Sequence, residues 1–314
     1  MAYVTERGIL WGMVPDTTGR VFWVSPSDGY TIAGLAYRAS DENDGLSPER
    51  ALRTVNRAWD LVAATCGDMI ILLPGAHTTT AVITADVAGV TMMGLPRYTP
   101  GAVARPITSL TISASADIIA VSAANVQLAW LHLIPVTTMD SVSMTASTGT
   151  GVHIHHCSVD LDTAAASTST QGFNFGGTTP NAHIHDCVFY CDSAQGEAID
   201  GVTGMGQALI ERCRFIQSTG TWAAALKTSV TADGSRGILV RDCDFIAAAD
   251  ATMTVGILGT AGVTEETIHV HRCFFSDSVG TAIDTFGARG AEIAENYQAG
   301  VGGTDGGVLV TAIT

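Results

Sequence analysis

The segment Val152-His-Ile154-His-His-Cys157-Ser-Val159 returns four more times down the chain. The later copies are Ala182-His-Ile184-His-Asp-Cys187-Val-Phe189, Ala208-Leu-Ile210-Glu-Arg-Cys213-Arg-Phe215, Ile238-Leu-Val240-Arg-Asp-Cys243-Asp-Phe245 and Ile268-His-Val270-His-Arg-Cys273-Phe-Phe275. Their cysteines are 30, 26, 30 and 30 residues apart. Self-similarity at such a period marks a stacked architecture, in which each repeat buries its apolar face against its neighbours. Within each copy the apolar positions alternate with period two, break over two residues, and resume with period two. That pattern is strand, corner, strand, not helix. A repeat of about thirty residues with several short strands and no room for a helix matches one rung of a right-handed parallel β-helix.

Stacking places each inward residue about 4.8 Å above its equivalent on the rung below. The repeats therefore predict a cysteine ladder through Cys157, Cys187, Cys213, Cys243 and Cys273, and a phenylalanine ladder through Phe189, Phe215, Phe245 and Phe275. The same line fits upstream as Val90-x-Met92-x-x-Leu95 and Val126-x-Leu128-x-x-Leu131-x-Leu133, and downstream as Ala291-x-Ile293-x-x-Asn296. The expected fold is all-β: a single-stranded right-handed parallel β-helix of about eight rungs, a rod roughly 40 Å long. Ser47-Pro-Glu-Arg50 carries helix-start chemistry, and Leu52, Val55, Ala58, Trp59 and Val62 follow at helical spacing. This predicts an amphipathic helix over 48–64 that caps the first rung, whose backbone would otherwise be unpaired. Residues 1–39, with Trp11, Phe22 and Trp23, read as an irregular N-terminal segment or an aromatic anchor for another protein, and 40–314 as the β-helix. Val308-Leu-Val310 reads as a side of a last rung, open to an oligomer mate or another protein.

The chain has 314 residues, 46% hydrophobic, with a net charge of −15 and only one lysine, Lys227. Such an acidic balance argues against nucleic acid and anionic membranes as partners. No secretory signal or membrane span is visible. Five of the seven cysteines lie on one ladder with parallel side chains, a poor geometry for disulfides, so reduced thiols and assembly in a reducing cytoplasm are expected.

Three constellations invite a chemical reading. The residue before each ladder position runs His156, Asp186, Arg212, Asp242, Arg272, Glu295, and alternates in sign from Asp186 onward. Cross-rung ion pairs that fix register explain it. His153 and His155 should project outward from one strand with His183 and His185 above them, and His269 with His271 repeats the pair. Imidazoles on such a grid can hold zinc or nickel, but without a carboxylate or Cys among them the expectation is a solvated or interface face and no cofactor. Among carboxylates, Glu197 with Asp200 and Asp160 with Asp162 are pairs near enough for hydrolysis, whereas Asp200 and Asp284 are three rungs apart. Surface or turn roles account for them more simply. Asp41, Asn43 and Asp44 before Gly45 lack a full calcium-ligand pattern and read as a turn.

The order Asp44-Gly45-Leu46-Ser47-Pro48, Ala51, Thr54, Ala58, Gly67-Asp68, Ile70, Pro74-Gly75 resembles the N-terminal entry of pectate-lyase-like right-handed β-helix proteins, which include many phage tailspike and virion proteins. The resemblance covers 41–77 and continues through the repeats to about residue 300. It implies a fold more than an activity, because the superfamily holds lyases, hydrolases and inert structural proteins. The calcium-binding carboxylate cluster and arginine base of pectate lyases find no counterpart here, nor does the polygalacturonase signature. The resemblance implies a phage association, and with the reduced cysteine ladder, the compact rod, the aromatic N-terminal segment and the missing signatures the expectation is a structural phage virion protein: a non-enzymatic capsid decoration or cement protein, homotrimeric, bound to partners such as the major capsid protein, with no catalytic residue. The alternative it implies is a tailspike or depolymerase that grips or cleaves host polysaccharide along the rod's side.

Overall fold

The computed structural model describes residues 19–32, 35–64, 66–95, 106–113, 116–135, 140–144, 150–161, 171–176, 180–191, 196–201, 205–228, 237–249, 251–259, 268–284, 292–299 and 308–309. Trp11 and Asp162 lie outside them. The chain winds through three long sheets in turn, two of ten strands and one of eight, and forms a parallel β-helix. The first sheet runs from Val21–Val24 to Glu292–Ala294, the second from Gly75–Thr79 to Val308–Leu309, and the third from Ile83–Ala85 to Val279–Asp284. The first sheet has ten strands rather than about eight because Val21–Val24 and Met69–Leu72 stack below the Leu95 rung.

The repeat period places one apolar residue from each sheet into a shared interior. From the first sheet come Ile154, Ile184, Ile210, Val240 and Val270, all buried. The second supplies Phe189, Phe215, Phe245 and Phe275, whose rings stack at 5.1, 4.7 and 4.7 Å. Phe173 of the third sheet meets Phe189 edge to face at 5.0 Å. Offset stacks of this kind add about 0.5–1.5 kcal/mol each to the burial itself.

Between the first and second sheets, one residue per rung turns the chain. Trp130, His156, Asp186, Arg212, Asp242, Arg272 and Glu295 all adopt left-handed backbone with φ of 51–57°. Each costs about 1–2 kcal/mol relative to a right-handed residue. Hydrogen bonds to the next rung hold the corner: His156 N donates to His185 O at 3.2 Å, Arg212 N to Arg241 O at 3.1 Å and Asp242 N to His271 O at 3.1 Å. The cysteine follows at once. Its Sγ–H faces the carbonyl two residues back, as in Cys213 to Glu211 O at 3.4 Å. All seven cysteines are free and the five ladder thiols are buried, which pushes the Cys187 and Cys243 thiols well above their ordinary pKa. The ladder ends on the buried Asn296, whose Oδ1 accepts from Cys273 N and whose Nδ2 donates to Val270 O, both at 2.8 Å.

Three expectations are corrected. The helix over 48–64 is a single 3-10 turn, Pro48–Arg50, followed by a short helix, α1, over Val55–Leu61. Leu52 between them is needed elsewhere: its N–H donates to Trp23 O, its carbonyl accepts from Ser25 N, and it forms a parallel bridge with Val24. The helix starts only at Thr54, whose side chain caps Arg57 N. Second, of the two readings of the N-terminal segment, Phe22 and Trp23 follow the tucked strand and not the aromatic anchor. They are 2% and 1% exposed, Phe22 in the main core and Trp23 in a smaller cluster on the sheet's other face, where Tyr30 of the hairpin Gly29–Ile32/Leu35–Arg38 packs. Third, Val308–Leu309 does not continue the parallel winding but pairs antiparallel with Tyr297–Gln298, so the chain itself covers that edge of the second sheet. Among the described residues no helix is long and apolar enough to cross a membrane.

Candidate functional site

Two outer faces of the rod concentrate polar chemistry. On the first sheet, register sets His153 beside His183 and His155 beside His185. Period-two alternation points Ile154 and Ile184 inward and leaves the flanking imidazoles on the outer face. The rings stack in columns, His153 on His183 at 4.9 Å and His155 on His185 at 5.0 Å. Across the columns, His153 Nε2 lies 2.7 Å from His185 Nε2. The corner residue His156 joins them, with Nδ1 2.9 Å from His155 Nδ1 and its ring on Trp130 at 4.3 Å. Burial and the neighbouring imidazoles push His153 down to about 4 and His155 to about 3, so both are neutral at pH 7.

Carboxylates stand behind this cluster, although none is in the His-x-His strands themselves. His185 Nδ1 is 2.6 Å from Asp186 Oδ2, and His183 Nε2 is 3.2 Å from Glu211 Oε1. Burial alone would raise Asp186, but hydrogen bonds from Arg212 and His185 bring it down to about 2. Glu211 is 5% exposed and, against its burial, is lowered by Arg241, His183 and Arg212. The corner charges pair in twos: Arg212 Nε on Asp186 Oδ1 at 2.9 Å, and Arg272 Nε on Asp242 Oδ1 at 2.7 Å. Glu295 is exposed at the end of the row. His269 and His271 lie 6.1 Å apart, ring to ring, on a later strand.

The third sheet carries the other face. Asn174, Asp200 and Lys227 are register neighbours on its strands. Asp140 and Gln171, each two residues before a strand, flank them. Asn174 Nδ2 donates to Asp140 Oδ2 at 2.7 Å, Gln171 Nε2 to Asp200 Oδ2 at 2.7 Å, and Lys227 Nζ to Glu197 Oε1 at 3.1 Å. Burial, aided by the charges of Asp117 and Asp200, raises Asp140 to about 6 in spite of the Asn174 and Gln171 bonds. Asp140 is thus a carboxyl of this lane held near neutrality, and the sequence reading did not single it out. Its signal was the spacing polar, any, apolar shared by Asp117-Ile-Ile119, Asp140-Ser-Val142, Gln171-Gly-Phe173 and Glu197-Ala-Ile199. Glu197 and Asp200 do share the lane, but both are bonded to Gln171. Asp284 is three strands from Asp200 by register. Asp160 is buried 3.9 Å from His132.

No protein-family model matches the chain, and no curated protein matches it. Among solved structures it is similar to the pectin methylesterase of Aspergillus niger, with a TM-score of 0.53 and 13% identity over 80% of this chain and 83% of that one. It is also similar to a rhamnogalacturonan lyase, with a TM-score of 0.49 and 14% identity over 82% and 68% of the two chains. A protein of Geobacillus virus E2, ORF18, gives a TM-score of 0.38 and 11% identity over 93% and 61%. At such identities the first likeness establishes a shared parallel β-helix fold and nothing about activity.

Proposed function

We propose that the chain is a structural, non-enzymatic virion protein, a decoration or cement protein that binds the phage capsid as a homotrimer. The phage association comes from the sequence resemblance over 41–77. The observation that carries the structural reading is the way the acidic side chains are committed. Asp68 accepts from Arg20 N, Arg20 Nη2 and Ala63 N; Glu211 is bonded by Arg241, Arg212 and His183; Asp186 and Asp242 are each clamped by an arginine. Carboxylates fixed in balanced pairs hold rungs in register and are poor acids and bases. Adding purified protein to shells that lack it tests the reading: saturable binding that raises the shells' resistance to heat is expected, and no association with shells refutes it.

One observation favours a second reading, a polysaccharide-binding or -cleaving rod. Asp140 keeps a proton near pH 6 beside Asn174, Gln171, Asp200 and Lys227, a row suited to sugar hydroxyls. Turnover of a capsular polysaccharide by the wild type and its loss in Asp140→Ala would establish that reading instead.

A further inference from the structure

Apart from the bond of His183 to Glu211, the five neighbouring histidines have no part in either reading, and their arrangement is more specific than a solvated face requires. We propose that His153, His183 and His185 form a binding site for one transition-metal ion of the zinc or nickel type on the outer face of the first sheet.

The geometry carries this in three steps. Each of the three side chains offers a ring nitrogen, and those nitrogens lie within 4.8 Å of one another. Tetrahedral ligation at about 2.0–2.1 Å sets nitrogens about 3.3 Å apart. The 2.7 Å between His153 Nε2 and His185 Nε2 must open slightly and His183 must swing inward, both by rotation of partly buried side chains on a fixed sheet.

The second step is the proton inventory. Asp186 is a carboxylate and only accepts, so His185 Nδ1 carries the proton of that 2.6 Å bond and Nε2 presents its lone pair to the cluster. This is the carboxylate–histidine–metal relay, in which the outer carboxylate fixes the tautomer and raises ligand basicity. Glu211 can play the same part for His183, with its own position set by Arg241 and Arg212. His153 becomes a ligand through Nε2 by moving its proton to Nδ1, which changes no charge.

Third, the neighbourhood separates this trio from the rest. Gln127 Nε2 lies 2.6 Å from His155 Nε2, with Gln127 Oε1 accepting from Thr91 Oγ1 at 3.2 Å, so the His155 lone pair is already used. His156, His185 and Asp186 form an alternative trio, but ligation there takes the His185 Nδ1–Asp186 pair apart. His269 and His271 have no third imidazole on an adjoining strand. Three histidines leave a fourth position for water or for a donor from a bound partner.

The test is zinc titration by calorimetry, with cobalt as a spectroscopic probe, on full-length protein stripped with EDTA. A Cys66→Ser background removes the exposed thiol. One equivalent should bind with Kd of about 1 µM or tighter, and the cobalt form should show the intense visible absorption of a tetrahedral site. His153→Ala and His185→Ala should each weaken binding at least about tenfold. His183→Gln, which keeps a bond to Glu211 and so protects the fold, should do the same, and His269→Ala should change nothing. Failure of zinc to bind overturns the proposal. So does loss of binding in His156→Ala with retention in His153→Ala and His183→Gln, which assigns the ion to the corner trio.

Discussion

Replacing Cys213 by serine tests the ladder at its centre. Cys213 is fully buried between Cys187 and Cys243, with Sγ 3.4 Å from Glu211 O and 3.8 Å from Ile184 O. A sulfur tolerates these distances as weak contacts. A hydroxyl does not, because Oγ sits on a shorter bond and the Ile184 carbonyl falls out of hydrogen-bonding range. Serine therefore buries a hydroxyl with at best one poor acceptor, at a cost of about 1–3 kcal/mol. Alanine removes the sulfur and leaves a void of about one methyl group, costing about 1 kcal/mol. For a chain of this size each kcal/mol lowers Tm by roughly 1–2 °C. Differential scanning calorimetry of both variants should give the order wild type, alanine, serine. The buried thiols of the native protein should also resist a bulky thiol reagent that labels them all in guanidinium. A serine variant that melts with the wild type, or above the alanine variant, would place that sulfur in a wet or polar site and refute the packing argument.

Asn296→Leu should lower stability by about 2–4 kcal/mol, since it strands Cys273 N and Val270 O; denaturant melts check this. Gly237→Val should cost about 1–2 kcal/mol although a Cβ there meets no atom within 4 Å, because φ of +78° alone penalises it. Arg272→Ala, which breaks a pair more than half exposed on its arginine side, should leave the denaturation midpoint nearly unchanged; a marked drop would mean that the corner charges set the stability. Asp140 has a folded-state pKa above its unfolded value, so its contribution is fully present below about pH 4 and is lost as pH rises through about 6. The difference between the two states amounts to about 3 kcal/mol. A carboxyl NMR titration should find Asp140 near 6, and Asn174→Ala should move it higher.

How far the residues announce this structure varies along the chain. The cysteine line is legible because period two on both sides of a two-residue break has one geometric solution, and the break falls on the left-handed corner at His156, Asp186, Arg212, Asp242 and Arg272. The corner conformation itself is hidden, since no glycine marks it and cross-rung bonds impose it. Ser47-Pro-Glu reads as a helix start on local chemistry, but Leu52 is claimed by Trp23 and Ser25, a long-range demand that local pattern cannot contain. Phe22 and Trp23 leave a tucked strand and an exposed anchor both open for the same reason: the hairpin packed against Trp23 has no periodic signature. In the candidate sites, the His-x-His strands give away their own register. The roles of Asp186 and Glu211 behind them, and of Asp140 across the rod, depend on which rungs stack, and the uneven loops between strands obscure that.

The claim that this rod is a structural part of a virion is tested most directly by its copy number in purified particles, measured by quantitative mass spectrometry against the major capsid protein. The account predicts hundreds of copies in fixed ratio to the shell. A handful of copies per particle would place it in the tail, and its absence from particles would contradict the account outright.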